Sequence, residues 1–186
     1  MVDRPKPVRR IVAGNDEKGK AVVLSDGPSP DVRTDPARPG FSSTRLWVTD
    51  RTPARTKGIR ETLDIPHTIE PPRDGSVCRI VTFPPDAWFI KDVKASNVRS
   101  YFESMGSPNA STYTADVPHP YMEKTRTLDF CYILEGEITL VLDAEEVHLK
   151  AGDTLIQRGT NHAWSNRSEN PCTIIFCQHD GTFEAP

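Results

Sequence analysis

The sequence predicts an all-β fold, a single β-barrel of the jelly-roll type, and three observations support that class. Short runs of alternating apolar and polar residues follow one another along the C-terminal part of the chain. Gly136, Gly152 and Gly159 separate these runs, as turn glycines do. A single short segment, 92–105, has the apolar spacing of a helix, and Gly106 follows it, so the helix is an insertion among strands.

The C-terminal segments form a predicted β-meander. Each run is short, is rich in β-branched or aromatic residues, and ends at a turn residue. The predicted strands cover residues 126–135, 136–143, 145–149, 153–157, 162–166 and 171–179.

The N-terminal part predicts further strands around a loop. Residues 10–14 and 21–24 form a hairpin across a polar turn. Residues 25–43 are rich in Pro, Gly and Ser, which predicts a surface loop or a strap over the barrel without regular structure. Residues 44–49 and 76–83 are strands that extend one sheet.

The chain length and composition indicate one structural domain. At 186 residues and 36% hydrophobic content, the chain can bury a real core. Within it, residues 1–115 are predicted to pack their strands, Pro-rich loop and short helix on the barrel, and residues 116–186 to form its core. The helix over 92–105 either covers one mouth of the barrel or packs against an outer face.

Charge and hydropathy favour a small-molecule partner. The formal net charge is −3, from 23 basic and 26 acidic residues, which gives no broad cationic surface for nucleic acid. No segment has the length and apolarity of a membrane span, so we expect a cytoplasmic protein. Its four cysteines have no CxxC spacing and are expected to be small buried hydrophobes.

Strand alternation gathers polar side chains on one face. Glu123, Thr125, Thr127 and Asp129 share a face because successive strand residues point to opposite sides. A later short strand carries three further side chains on a single face: His162, Trp164 and Asn166. If both strands line one cavity, His162 meets Asp129 and Glu123.

These residues resemble the cupin superfamily, whose motifs have the forms G-x5-H-x-H-x(3,4)-E-x6-G and G-x5-P-x-G-x2-H-x3-N. Asp129 stands six residues before Gly136, where the family has Glu, and the sequence from Gly159 to Asn166 reproduces G-x2-H-x3-N. The two first-motif histidines fall on Glu123 and Thr125. Gln157 replaces the proline of the second motif.

The resemblance implies a homodimer, and it raises the question of a metal. Cupin metals commonly bind several imidazoles and one carboxylate. Here Glu123, Asp129 and His162 form the candidate ligand set for Fe, Zn, Mn or Ni, with His119 as a substitute ligand. Because the motif supplies one imidazole, no cofactor is favoured.

Without a metal, His162 and Asp129 are predicted to form an acid/base pair, with Glu123 as a further catalytic residue. We assign the substrate oxygens to Thr125, Thr127 and Asn166, and the apolar wall of the cavity to Trp164, Trp47 and Trp88. The expected function is a small-molecule lyase or isomerase/cyclase acting on a hydrophobic or aromatic, polyketide-like substrate. The alternatives are a metal-dependent dioxygenase or decarboxylase, and a ligand-binding cupin without catalysis.

A purely structural role stays open for the site residues. His162 can be a buried imidazole satisfied by Asp129 or by a backbone carbonyl. Glu123 faces solvent if the strand register shifts by one residue. Each of the three tryptophans can be a core residue.

Overall fold

A computed structural model of the protein describes residues 6–59 and 61–183. The N-terminal strands are β1 (Arg9–Asn15), β2 (Ala21–Pro28), β3 (Val32–Thr34), β4 (Ser42–Thr49) and β5 (Ser76–Phe83). Helix α1 spans Ala95–Ser104, between single 3-10 turns at Asp86–Trp88 and Pro108–Ala110. The C-terminal strands are β6 (Thr127–Glu135), β7 (Glu137–Leu142), β8 (Glu146–Lys150), β9 (Thr154–Arg158), β10 (His162–Ser165) and β11 (Cys172–Asp180).

Two sheets enclose the core, and the predicted all-β class is confirmed. Six strands pair in the order β3-β4-β5-β11-β6-β9, and three pair in the order β10-β7-β8. Side chains from both sheets share one apolar cluster, which includes Ile133 of β6, Leu140 of β7 and Trp164 of β10. The sheets therefore face each other across this cluster, as in a barrel or sandwich.

The β1–β2 hairpin is confirmed, with β2 four residues longer than predicted, and the predicted C-terminal strands are confirmed to within one residue. Strand β6 alternates as its sequence predicts: Asp129, Cys131 and Ile133 are buried, whereas Phe130 and Tyr132 remain exposed. The buried face points into the core, and the exposed face leaves aromatic side chains at the surface. The homodimer stays a prediction.

The prediction that residues 25–43 lack regular structure is wrong. Strand β2 continues to Pro28, and Val32–Thr34 pairs with β4 as an edge strand. The prolines flank these ladders instead of interrupting them, as edge positions allow. The segment also reaches inward, because Arg38 and Phe41 are both buried.

Helix α1 closes one end of the barrel. Val98 and Phe102 are buried in a second apolar cluster with Phe89 and Tyr121. Tyr101 contacts both this cluster and the main core. Of the two predicted placements, the helix takes the one over the cavity.

Gly106 ends this helix in a left-handed conformation, with φ at +65°. A Cβ atom there would lie 2.1 Å from the backbone oxygen of His67. A side chain would thus meet both a steric and a conformational penalty, so the sequence signal for the helix end has a structural cause.

Within the described part of the chain, no helix has the length and apolar character needed to cross a membrane. The four cysteines are free thiols, and the Sγ atoms of Cys78 and Cys177 on paired strands are 3.7 Å apart.

Candidate active site

A small cavity lies inside the barrel, beneath α1. Its volume is about 50 Å³, which is room for a few atoms of a ligand. The polar side chains that line it, apart from two tyrosines, are Arg38, Ser43, Arg79, Glu123, Thr125, Asp129, His162 and Gln178. Its aromatic wall consists of Phe41, Phe83, Tyr101, Tyr121, Trp164 and Phe176.

Glu123 and His162 face each other in this cavity. The two residues form an antiparallel bridge, in which each backbone N–H donates to the other's carbonyl at 2.7 and 2.9 Å. The bridge holds the segment before β6 beside β10, with Glu123 Oε1 3.6 Å from His162 Nε2. That gap is slightly longer than a hydrogen bond, so a small closure would allow a proton to pass.

The hydrogen bond at Nδ1 assigns the imidazole tautomer. His162 Nδ1 lies 3.0 Å from the carbonyl oxygen of Thr160, which can only accept, so the ring donates there. Burial lowers the pKa of His162, outweighing the Thr160 carbonyl and the charge of Asp129, which raise it. The ring is therefore neutral near pH 7, and the lone pair of Nε2 is directed toward Glu123.

The carboxyl of Glu123 is easier to protonate than an ordinary glutamate. Although 19% of its side chain is exposed, burial is the largest influence and raises its pKa to about 7. The charges of Arg38 and Arg79 oppose the rise, and Glu70 adds to it. Near neutral pH, Glu123 can thus either donate or accept a proton.

Asp129 lies on the same cavity but does not orient the imidazole as predicted. Its Oδ2 accepts a hydrogen bond from Gln178 Nε2 at 3.2 Å, and its Oδ1 has no partner within the described residues. Burial raises the pKa of Asp129, against the hydrogen bonds from Thr127 and Gln178. The partners of the His162 ring are instead Thr160 and Glu123.

The other predicted binding residues separate into two groups. Thr125 and Trp164 line the cavity, and Thr127 lies behind Thr125, with their hydroxyl oxygens 2.8 Å apart. The ring of Trp164 packs edge-on against Phe176, with centroids 5.4 Å apart. Trp164 therefore forms part of the cavity wall and of the core at once.

Asn166, Trp47 and Trp88 lie outside the cavity, which corrects their predicted role. Strand β10 ends at Ser165, so alternation no longer applies to Asn166, whose side-chain amide donates to the carbonyls of Phe83 and Asn170. Trp47 lies in a wider groove beneath the β1–β2 hairpin. Trp88 is exposed on a 3-10 turn.

His119 does not reach the cavity either. Its Nε2 is 3.6 Å from Asp86 Oδ2, and its Nδ1 accepts the backbone N–H of Tyr121 at 3.2 Å. The imidazole is thus directed to a different carboxylate from those of the predicted ligand set.

The donor arrangement does not fit a metal ion. Among the described residues, no three His, Cys, Asp or Glu side chains converge in a way that could hold one. The same cavity is lined by the guanidinium groups of Arg38 and Arg79, whose positive charges disfavour a divalent cation. Glu123, Asp129 and His162 share a cavity without forming a ligand shell.

Sequence reasoning missed these two arginines. Arg79 shares the buried face of β5 with Val77, Val81 and Phe83. A charged residue on this otherwise apolar face was the sequence signal that could have placed it in the core. Arg38 offered none, because its Pro-rich segment has no periodicity to indicate which residues turn inward.

Comparison with known proteins identifies the C-terminal part. A family model described as "Cupin domain" matches residues 115–177. "Phomopsin biosynthesis cluster protein C'" of Diaporthe leptostromiformis is 54% identical over 48 residues, 25% of each chain, so the match spans about a quarter of that relative. "Cupin-domain-containing oxidoreductase fogC" of Aspergillus ruber is 26% identical over 176 residues, 91% of this chain and 70% of that one.

Among solved structures, the Schizosaccharomyces pombe Cnp3 cupin domain aligns at a TM-score of 0.46 and 10% identity. The alignment covers 92% of this chain and 87% of that one. The matched region contains β6 to β10, most of β11 and the motif positions Asp129 and His162. Residues 115–177 are therefore identified as a cupin domain.

Proposed function

We propose that the protein is an enzyme of small-molecule metabolism that moves protons without redox chemistry, as a lyase or an isomerase/cyclase. The observation that carries the proposal is the Glu123–His162 pair, in which a neutral imidazole with an open Nε2 faces a carboxyl whose pKa is about 7. Such chemistry requires an unprotonated base beside an acid that still holds its proton near neutral pH.

In the forward step, His162 Nε2 removes a proton from the carbon α to a substrate carbonyl. The C–H electron pair forms a new double bond between the α and β carbons. In a β,γ-unsaturated substrate the π pair of the old double bond takes the proton of Glu123 at the γ carbon; in a β-hydroxy substrate the Cβ–O bond breaks and its electron pair leaves with the hydroxyl, which takes that proton. The first outcome is an isomer, and the second is an alkene plus water. Transfer of the proton from His162 to Glu123 across their 3.6 Å gap then restores both groups.

The surroundings support an unsaturated or aromatic substrate. Aromatic side chains form much of the cavity wall and suit a planar carbon skeleton. The volume of about 50 Å³ admits the reacting end of such a molecule. The name of the phomopsin-cluster relative supports a role in secondary metabolism.

A second candidate is a metal-dependent cupin dioxygenase or decarboxylase. The name of the Aspergillus ruber relative, an oxidoreductase, favours it. The donor arrangement described above opposes it, as does the positive charge of the two arginines. A ligand-binding cupin without turnover is the third candidate.

The test follows proton exchange in D₂O by NMR, with but-3-enoate and cyclohex-3-enone as probes that carry acidic α protons. We expect wild-type protein to exchange or isomerise at least one probe in the presence of a chelator, and His162→Ala to lose that activity. The exposed pair His148 and Glu137 supplies matched controls, His148→Ala and Glu137→Gln. Loss of exchange on chelation would favour the metal enzyme, and unchanged probes would favour ligand binding alone.

A further inference from the structure

Arg79 is a buried cation without a counter-ion among the described residues. Its side chain is 3% exposed, and Nη2 donates to the backbone carbonyls of Thr68 and Ile69 at 2.8 and 2.7 Å. The Nε atom is buried and has no partner. Because an unpaired buried charge is costly, its retention beside a cavity indicates a negative group that arrives from outside.

Arg38, which lines the same cavity, has a second donor without a hydrogen-bond partner. Its Nε donates to Asp35 at 2.7 Å, and its guanidinium lies between 3.7 and 4.2 Å from the ring centroids of Phe41, Tyr101 and Tyr121. The rings hold the guanidinium in place. Its Nη2 is buried and has no hydrogen-bond partner.

The balance of charges around the cavity favours the binding of one anion. Asp35 neutralises Arg38, whereas no ion pair within the described part of the chain neutralises Arg79. The remaining acids on the cavity are Glu123 and Asp129, and burial favours the neutral form of each. In the state in which both carboxyls are protonated and His162 is neutral, the cavity carries one net positive charge.

We propose that Arg38 and Arg79 form a carboxylate-binding subsite, so that the substrate is an unsaturated or β-hydroxy carboxylic acid. Guanidinium donors match the two oxygens of a carboxylate and hold it at a fixed orientation. The α carbon of that acid would then lie toward the Glu123–His162 pair on the same cavity. This inference deepens the proposed function and rests on it for the reaction, but not for binding.

The test is isothermal titration of the full chain with crotonate and with crotonamide, its neutral analogue of the same shape. We expect wild type to bind crotonate at least tenfold more tightly than crotonamide, and Arg79→Gln and Arg38→Gln to lose that preference. Arg10→Gln should retain it, since Arg10 is also buried but is paired with Glu61 outside the cavity.

Equal affinity for the two probes, no measurable binding of crotonate, or a preference that survives in both folded arginine variants would overturn the subsite. The comparison of crotonate with crotonamide on wild type tests the subsite even if either variant fails to fold. Glu123→Gln separates this inference from the proposed function: it should bind crotonate at least as tightly as wild type while losing proton exchange. A variant that loses both would overturn the assignment of the carboxylate to the arginines.

Discussion

Two Glu–His pairs in the described part of the chain join the same atoms at similar distances in different surroundings. His162 Nε2 lies 3.6 Å from Glu123 inside the barrel, and His148 Nε2 lies 3.4 Å from Glu137 on the surface of β7 and β8. The surface side chains are 59% and 51% exposed, so water screens their interaction. Burial, and not residue type or spacing, distinguishes the proposed acid/base pair from an ordinary surface contact.

Replacing the two histidines is expected to show the largest difference. His162→Ala should reduce proton exchange by about 10²–10⁴-fold, the usual contribution of a general base. His148→Ala should remain within about twofold of wild type, because its ring lies outside the cavity and in solvent. NMR exchange rates on the same probe measure both variants. Comparable losses of rate in the two variants would contradict the claim that only the buried pair is catalytic.

Replacing the two glutamates tests the electrostatic difference through stability. The pKa of Glu123 is above its unfolded value, so the folded state binds more protons between about pH 4.5 and 7. Ionisation therefore costs folding free energy as pH rises through that window. Relative to wild type, Glu123→Gln should gain on the order of 3 kcal/mol between those pH values.

Urea unfolding at a series of pH values measures this change, with Glu137→Gln as the control. The control should show no comparable pH-dependent gain, since its carboxylate is half exposed. His67 and His162 have lowered pKa values and change wild-type stability in the opposite direction, so only the difference between variant and wild type is informative.

Asn166 shares the cupin motif with His162 but is expected to affect stability alone. Its buried amide satisfies two backbone carbonyls, so Asn166→Ala should lower the free energy of unfolding by about 2–3 kcal/mol. Exchange per folded molecule should be unchanged. A selective loss of rate with intact stability would restore Asn166 to the site.

Asp129→Asn should have a much smaller effect on rate than His162→Ala. Because the Thr160 carbonyl, and not Asp129, orients the His162 ring, the variant should retain its rate within about tenfold. Kinetics on the exchange probe measure this directly. A loss as large as that of His162→Ala would show that Asp129 takes part in proton transfer.

Periodicity predicted the fold more fully than the site. Alternation along β6 gave the buried face that carries Asp129, and the second motif led to His162. Asn166 was misplaced because its strand ends one residue earlier. Arg38 reached the cavity from a Pro-rich segment, where the inward direction depends on tertiary contacts with three aromatic rings and Asp35.

The most direct measurement is the pKa of Glu123, followed through the NMR carbon shift of its carboxyl group. The acid/base account predicts that Glu123 titrates near pH 7, well above the range of an ordinary glutamate. A Glu123 carboxyl that titrates at 4.5 or below would be fully ionised at neutral pH, and the proposed proton donor would not exist.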